Sequence, residues 1–398
     1  MERSDLLPQP HRLERLFLLD LLGARPVSVH AAASIDPAAF LAVTPKTLLP
    51  FLHWRLGEVS EALPPSLRTL LAEHYRENAL RHLLRIADLR KIDALLRAEG
   101  IRYLLLKGPV LAATVYPAPA ARTMLDVDLL MSQADMPRAM AVLGTLGYEV
   151  PPRFAGTTIQ AGDAPPLFNG QAGSPVVELH ALLDSAPEDT QTVEELLEAP
   201  RIVDLGHGLA VPTLPPAEFF AHVVTHVSRH HRFEGELRSL LDVALLLPSA
   251  DADFDWITLR SEWDRRRITA WIELTLSLVK TLFGVPVPRA FAAVTPAPEV
   301  MALAAEQLWV DKEIRVSGRI IQALAGSLQS PVHAQTPARP VPMPSGFAGM
   351  RLRAQRHWQR ARRTYTTFMD GTLRPRTVSR DLALYRNRER LFALVEQR

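Results

Sequence analysis

A change of residue pattern at Gly100 constrains the fold more than any other feature. Residues 65–99 have the apolar periodicity of one long helix. Residues 101–106 then form a short apolar run typical of a buried strand, and residues 126–131 are a second strand candidate. The residues predicted to form the buried face of the long helix are Leu80, Leu83, Leu84, Ala87, Ile92, Leu95 and Leu96.

The rest of the chain extends this alternation. Residues 176–182 are a third strand candidate, and Gly206-His207-Gly208 joins two short segments that we predict to pair as a hairpin. From residue 215 onward the pattern is helical. We therefore predict an α+β protein with these parts: an N-terminal helical segment packing on the core (1–100), an α/β core (101–214), a second helical domain (215–330), a Pro-rich linker (331–346) and a basic helical tail (347–398).

Two aspartates lie in the second predicted strand. Successive side chains on a strand point to opposite faces, so Asp126 and Asp128 share a face while Val127 points toward the core. Two carboxylates side by side repel each other, and a hard cation such as Mg²⁺ relieves that repulsion. The spacing alone has little specificity, because Asp251 and Asp253 show it in what we expect to be an exposed loop.

The segment before these aspartates is suited to bind an anion. Gly108 follows the first strand and precedes a predicted helix, whose N-terminal amides and positive end favour phosphate. Lys107 and Arg122 could add two cations to the same ligand. Alternatively, Gly108 only ends a strand and Arg122 is a solvated loop residue.

The third predicted strand offers a further carboxylate. Glu178 and His180 share one face of that strand, and two-metal phosphoryl transfer commonly uses an additional acid. We expect Glu178 to complete a metal site with Asp126 and Asp128. The alternative is an edge strand that turns Glu178 and His180 toward solvent.

Together these motifs resemble the DNA polymerase β-like nucleotidyltransferase superfamily, in particular a bacterial family of largely uncharacterised nucleotidyltransferases. The resemblance covers about residues 80–247, and the matching positions are Lys107, Gly108, Arg122, Asp126, Asp128, Glu178 and His180. The wider superfamily usually has Gly-Ser or Gly-Gly where this chain has Lys107-Gly108. Here the lysine could replace the missing hydroxyl as a point charge.

The resemblance implies a small mixed polymerase β-like sheet and a metal-dependent nucleotidyltransferase. It implies Mg²⁺ or Mn²⁺ bound by the catalytic residues Asp126, Asp128 and Glu178, and transfer from a nucleoside triphosphate, such as ATP, to an unknown hydroxyl or phosphate. That acceptor could be a small molecule, a peptide or protein, or an RNA. The resemblance also implies that the helical domain at residues 215–330 binds substrate or nucleotide. The nucleotide-binding residues implied are Lys107, Gly108, Arg122, His180, His226 and His230.

Two other functions are compatible with the sequence. His226 and His230 are four residues apart on a predicted helix, the spacing at which a helix presents two imidazoles to a metal. With Glu178 or Asp242 they could form a hydrolase site, although the spacing supplies no obvious third ligand. A non-catalytic interaction or antitoxin-like module is the other alternative, and it predicts Asp126 and Asp128 turned away from each other or from Glu178.

Composition indicates the cellular compartment and the possible partners of the C-terminal tail. The chain has no cysteine, which excludes disulfides and thiolate metal sites, and we expect a cytoplasmic protein without membrane association. Its formal net charge is only +2, yet fourteen arginines and four acids lie between Arg339 and the C-terminus. This tail could bind a protein or RNA partner, or form a solvated helical face that packs against the acidic stretch at residues 188–198.

Overall fold

The computed structural model describes residues 2–154, 163–171, 173–183, 193–310 and 378–397. The predicted Pro-rich linker at residues 331–346 and the tail up to residue 377 lie outside these ranges. Among the described helices, none is both long and apolar enough to cross a membrane. The predicted α+β class is confirmed.

A mixed sheet forms the centre of the described fold. The described strands are β1 (Leu104–Leu105), β2 (Asp126–Leu130), β3 (Tyr148–Glu149), β4 (Phe168–Asn169), β5 (Val176–His180), β6 (Arg201–Asp204) and β7 (Ala210–Thr213). Strands β3 and β4 form a separate two-stranded sheet. The strand order in the main sheet is β5-β2-β1-β7-β6. Strands β2 and β5 are parallel and place Asp128 directly opposite Glu178, and the predicted hairpin forms as β6 and β7.

Helices surround this sheet. Their ranges are α1 (Arg12–Leu22), α2 (Val29–Ser34), α3 (Pro37–Val43), α4 (Leu49–Arg55), α5 (Pro65–Ala98), α6 (Gly108–Thr114), α7 (Met136–Gly144), α8 (Val193–Glu198), α9 (Pro216–Thr225), α10 (Leu237–Asp253), α11 (Trp256–Arg265), α12 (Thr269–Leu278), α13 (Arg289–Ala292), α14 (Pro298–Gln307) and α15 (Val378–Glu396). Two π-helical turns, His226–His230 and Val279–Phe283, extend α9 and α12. The expected loop at Asp251 and Asp253 is instead the last turn of α10.

The long helix α5 has the predicted length but a different buried face. Leu80, Leu83 and Leu84 are 61, 50 and 42% exposed, so that part of the predicted apolar face is wrong. The buried face there includes two polar residues, Asn78 and His82. Asn78 caps the backbone carbonyls of residues 120 and 122 through its amide group, at 2.7 and 3.1 Å. Hydrogen bonding to the segment before β2 thus selects the buried face.

The C-terminal helix α15 packs on the helical part of the chain. Leu391 and Val395 are buried, and the Trp271 indole N–H donates to Glu396 at 2.8 Å. Among the described residues, Arg388 and Arg390 of this helix pair with acids outside the predicted stretch. Arg388 contacts Glu234 at 3.2 Å, whereas the prediction placed the partners in residues 188–198. An ion-pairing surface therefore anchors this helix beside the cavity described below.

Candidate functional site

The acids of β2 and β5 meet on one face of the sheet. Asp126 and Asp128 are two residues apart on β2, and Asp128 pairs in register with Glu178 on the parallel strand β5. Paired residues of neighbouring strands point to the same side, so all three carboxylates share that side. They line one cavity of about 780 Å³, a volume within the usual range of ligand sites. Glu178 therefore faces the same side as the two aspartates, whereas the interaction-module alternative predicted that the aspartates are turned away from it.

Asp128 is the most buried of the three acids, with only 3% of its side chain exposed. Its Oδ1 lies 3.2 Å from Lys107 Nζ and 3.1 Å from His180 Nε2. Burial opposes ionisation, but the Lys107 charge and the His180 hydrogen bond outweigh it, so the pKa of Asp128 is held well below its usual range. Asp128 therefore stays ionised at neutral pH.

Asp126 and Glu178 show the opposite behaviour. Burial and the charge of Asp128 raise the pKa of Asp126. Burial and the charges of the two aspartates raise the pKa of Glu178 as well. Three carboxylates on one face repel one another, and a divalent cation among them would favour the ionised forms.

His180 lies beside this acidic face and is itself held between two acids. Its Nδ1 is 2.9 Å from Asp163 Oδ1, while its Nε2 contacts Asp128. Burial disfavours the charged ring, but both hydrogen bonds and the charge of Asp128 outweigh burial and raise the pKa of His180 to about 9. The doubly protonated ring thus donates to both carboxylates. Within the described residues, Asp128, Glu178 and His180 each place one side-chain oxygen or nitrogen within 4.8 Å of the other two, and this group does not include Asp126.

Lys107 links β1 to α6 in a backbone conformation that residues other than glycine rarely adopt. Its φ of 41° lies in the left-handed half of conformational space, and its carbonyl accepts the first hydrogen bond of α6 from Leu111. Such outliers cost about 1–3 kcal/mol and cluster at functional sites. The Lys107 ammonium reaches Asp128 on one side and His226 Nε2 on the other, both at 3.2 Å. This backbone bend therefore places one cation between the acids and the histidines.

Arg122 is buried beneath this surface. Its Nε and Nη2 donate to the two carboxylate oxygens of Asp242 at 2.8 and 2.7 Å, and Tyr116 donates to the same carboxylate at 2.7 Å. The solvated-loop alternative for Arg122 is thus wrong, since only 4% of the residue is exposed. A Cβ at Gly108 would lie 3.2 Å from Arg122 Nη1. Glycine at this position lets the guanidinium pack against the start of α6.

The predicted histidines form a second group on the opposite wall of the cavity. His226 and His230 stack with ring centroids 5.2 Å apart, on the π-helical turn that follows α9. The hydrolase alternative paired them with Asp242 or Glu178. Asp242 instead accepts hydrogen bonds from Arg122 and Tyr116, and Glu178 lies close to Asp128 and His180, whereas His226 and His230 lie close to His231. The ligand sets of that alternative are therefore not assembled.

Sequence reasoning missed several residues of the site. The single-residue bridge that pairs Asp163 with His180 has no strand pattern to reveal it. Arg238 donates to the Thr123 carbonyl at 2.7 Å, and its charge opposes the upward pKa shift of Asp126. His231 joins His226 and His230 only because the helix widens there. Only the His230-His231 doublet was visible in the sequence.

The chain matches a known protein family. A family model described as "Uncharacterised nucleotidyltransferase" matches residues 34–284, which is more than half of the 398-residue chain. The matched segment contains β1, β2 and β5 and all of the acids and histidines described above. No curated protein matches the chain.

Proposed function

The chain belongs to this family of uncharacterised nucleotidyltransferases, and from that premise we propose a specific reaction for its cavity. It transfers a nucleoside monophosphate from a nucleoside triphosphate to a hydroxyl or phosphate of an acceptor. A divalent cation, Mg²⁺ or Mn²⁺, is held by Asp126, Asp128 and Glu178. The observation that carries the proposal is that these three carboxylates line one cavity from the same face of two parallel strands.

The donor set fits a hard divalent cation. Carboxylate oxygens are the ligands that Mg²⁺ prefers, and it usually keeps waters and phosphate oxygens in its shell. Asp128 supplies a permanently ionised oxygen, and Glu178, whose side chain is 40% exposed, leaves room on the solvent side. The raised pKa values of Asp126 and Glu178 express a local excess of negative charge. The bound cation would neutralise charge on the triphosphate during transfer.

The transfer itself has a simple balance. The acceptor oxygen forms a bond to the α-phosphorus, the bond from that phosphorus to the α–β bridging oxygen breaks, and pyrophosphate leaves. The acceptor loses one proton, and Glu178 is the group we assign to take it in the arrangement in which Asp126 and Asp128 alone hold the cation. Alignment and charge neutralisation account for most of the catalysis in such reactions.

The other side chains of the cavity have distinct parts in this proposal. Lys107 contacts the terminal phosphates, and its ion pair with Asp128 keeps the ammonium at the acidic face before the nucleotide binds. His180, held by Asp163 and Asp128, positions Asp128. Arg122, buried against Asp242, positions the start of β2 and the start of α6. The helical wall of the cavity, which includes His226, His230 and His231, would contact the base, the ribose and the acceptor.

The acceptor class stays open, so the first test concerns the donor half. Thermal unfolding of the full chain is measured with each nucleoside triphosphate, with and without Mg²⁺. A ligand that binds only the folded protein stabilises it by about 2.7 kcal/mol at a hundredfold excess over Kd. We expect Mg²⁺-dependent stabilisation that disappears in Asp126→Asn and Asp128→Asn. Asp264→Asn, an exposed aspartate on α11, is the matched control and keeps it.

A second test concerns transfer. Cell extract is incubated with the protein and a triphosphate labelled at the α-phosphate, and the acquisition of label by an acceptor is followed. We expect labelling that depends on Asp126, Asp128 and Glu178 but not on Asp264. Labelling that survives Asp126→Asn combined with Asp128→Asn would contradict the assignment of the metal ligands.

A further inference from the structure

Three histidines lie close together on the helical wall of the cavity, across Lys107 from the acids. They are His226, His230 and His231, and each lines the cavity. The His231 N–H donates to the His226 carbonyl at 3.0 Å, a hydrogen bond between residues five apart. In an α-helix only residues three and four apart are neighbours. The π-helical turn therefore brings both residue 230 and residue 231 beside residue 226, and such turns are frequent at functional sites.

The imidazole nitrogens have the spacing of metal ligands. One ring nitrogen of each histidine lies within 4.8 Å of the other two. His226 Nε2 and His231 Nε2 are 3.0 Å apart. A tetrahedral ion with Zn–N bonds of about 2.0–2.1 Å separates its ligand nitrogens by about 3.3 Å. The ring nitrogens of His226 and His231 are thus already close to the required separation, and His230, with a nitrogen within 4.8 Å of both, is exposed.

A carboxylate also supports the ring of His231 from outside the cluster. Glu236 Oε1 lies 3.7 Å from His231 Nδ1, and the Ser239 hydroxyl donates to the other Glu236 oxygen at 2.5 Å. His231 therefore presents one nitrogen to the cluster and the other to a held carboxylate. Metal-bound histidines commonly donate their second ring N–H to a carboxylate, which orients the ring and raises its basicity, and the 3.7 Å between Glu236 and His231 would have to close to make that hydrogen bond.

Ligand chemistry separates this cluster from the acidic face. Neutral imidazoles bind borderline ions such as Zn²⁺, whereas carboxylates suit Mg²⁺. The Lys107 ammonium, 3.2 Å from His226 Nε2, opposes a cation at that nitrogen. The same ammonium lies equally close to Asp128 Oδ1, so it keeps an ionic partner when it leaves the histidine.

We propose that His226, His230 and His231 form a second metal site, specific for a divalent transition-metal ion of the zinc class. Three protein ligands leave a fourth position for water or for an oxygen of a bound molecule, as in open zinc sites. This site is distinct from the carboxylate site and does not depend on the proposed transfer reaction. The cavity would then contain two metal centres of different chemistry, with Lys107 between them.

The test titrates the full-length, metal-free protein with Co²⁺, whose visible absorption bands report four-coordinate geometry and which Zn²⁺ displaces. We expect one Co²⁺ with such bands, displaced by Zn²⁺ but not by Mg²⁺. Affinity falls more than tenfold in His230→Ala and in His231→Ala, and about 10–100-fold in Glu236→Gln. His30→Ala, an exposed histidine on α2, is the matched control and binds as the unaltered chain does. Thermal unfolding of each variant verifies that it folds.

Two results would overturn the proposal. One is the absence of Co²⁺ bands in the unaltered chain, and the other is an unchanged affinity in the combined His230→Ala and His231→Ala variant. The combined Asp126→Asn and Glu178→Gln variant, which leaves Asp128 as the ionic partner of Lys107, separates this inference from the proposed function. It should lose nucleotide transfer and keep the Co²⁺ bands, so failure of transfer leaves the imidazole site standing.

Discussion

The ion pair between Arg122 and Asp242 offers the sharpest test of how this cavity is held together. It joins the segment before β2 to α10 across 120 residues of sequence, and both side chains are almost fully buried. Removing one partner of such a pair costs about 3–5 kcal/mol, because a charge remains buried without its counterion. Replacing both partners by apolar residues of similar size is often nearly neutral.

The expected magnitudes differ for the two partners. In Arg122→Met, Asp242 keeps its hydrogen bond from Tyr116, so we expect a loss near the lower limit, about 3 kcal/mol in the free energy of unfolding. Asp242→Leu leaves the guanidinium without this acceptor, and we expect about 4–5 kcal/mol. The double variant leaves only the Tyr116 hydroxyl without its acceptor, so it should lose about 1–3 kcal/mol, far less than the sum of the two single losses, which corresponds to a strong coupling between the two sites.

The assay is urea unfolding of the full chain, with the slope of the transition compared among variants. Arg138→Met is the surface control. It removes an exposed pair with Glu99 and should cost no more than about 1 kcal/mol. Single-variant losses below about 1 kcal/mol, or losses that simply add in the double variant, would refute the reasoning.

The same variants separate two roles for Arg122. If the guanidinium only positions the site, the double variant recovers triphosphate-dependent stabilisation together with its own stability. If it contacts the triphosphate, as the family resemblance implies, the double variant recovers stability without recovering nucleotide binding. The second outcome would move Arg122 from a positioning residue to a nucleotide ligand.

Three further predictions concern stability at other positions. Burial and the charges of His207 and Arg85 lower the pKa of His82 to about 4, below its ordinary 6.5. The neutral ring therefore stabilises the folded chain fully above pH 6.5, and the free energy of unfolding falls by up to about 3 kcal/mol as the pH is lowered to 4. Urea unfolding should find this loss much smaller in His82→Leu. Lys107→Gly should be more stable than Lys107→Ala by about 1 kcal/mol, because glycine tolerates the positive φ; greater stability of the alanine variant would contradict the strain. Leu391→Ala should cost about 2–5 kcal/mol if α15 packs as described, whereas an unchanged unfolding midpoint would indicate that this helix contributes nothing.

Much of the donor side of the site could be predicted from the sequence, because the relevant geometry is local. A strand places residues two apart on one face, so Asp126 and Asp128 were expected to converge from their spacing alone. Gly100 and Gly108 mark element boundaries for reasons of backbone geometry, and the structure has them there. The family resemblance is confirmed by the match over residues 34–284.

Local patterns were insufficient where several apolar surfaces competed. The predicted buried face of α5 included Leu80 and Leu83, yet the helix buries Asn78 and His82 on that turn. Periodicity counts apolar residues but cannot register that a buried asparagine satisfies two backbone carbonyls of the adjoining loop. The hydrogen-bonding requirement of that loop outweighs the apolar area on the other face.

Contacts between distant segments determine the features of the site that the sequence did not predict. Glu178 could be proposed as a third acid, but only the parallel pairing of β2 with β5 places it opposite Asp128. Arg122 faces Asp242 and not solvent because buried charges require partners, and nothing in the spacing of 120 residues predicts which acid supplies one. His231 approaches His226 because one turn widens to a five-residue repeat, a choice made by the packing around it. Short-range backbone geometry can be inferred from the order of the residues, whereas the partner of a buried charge depends on how the whole chain packs.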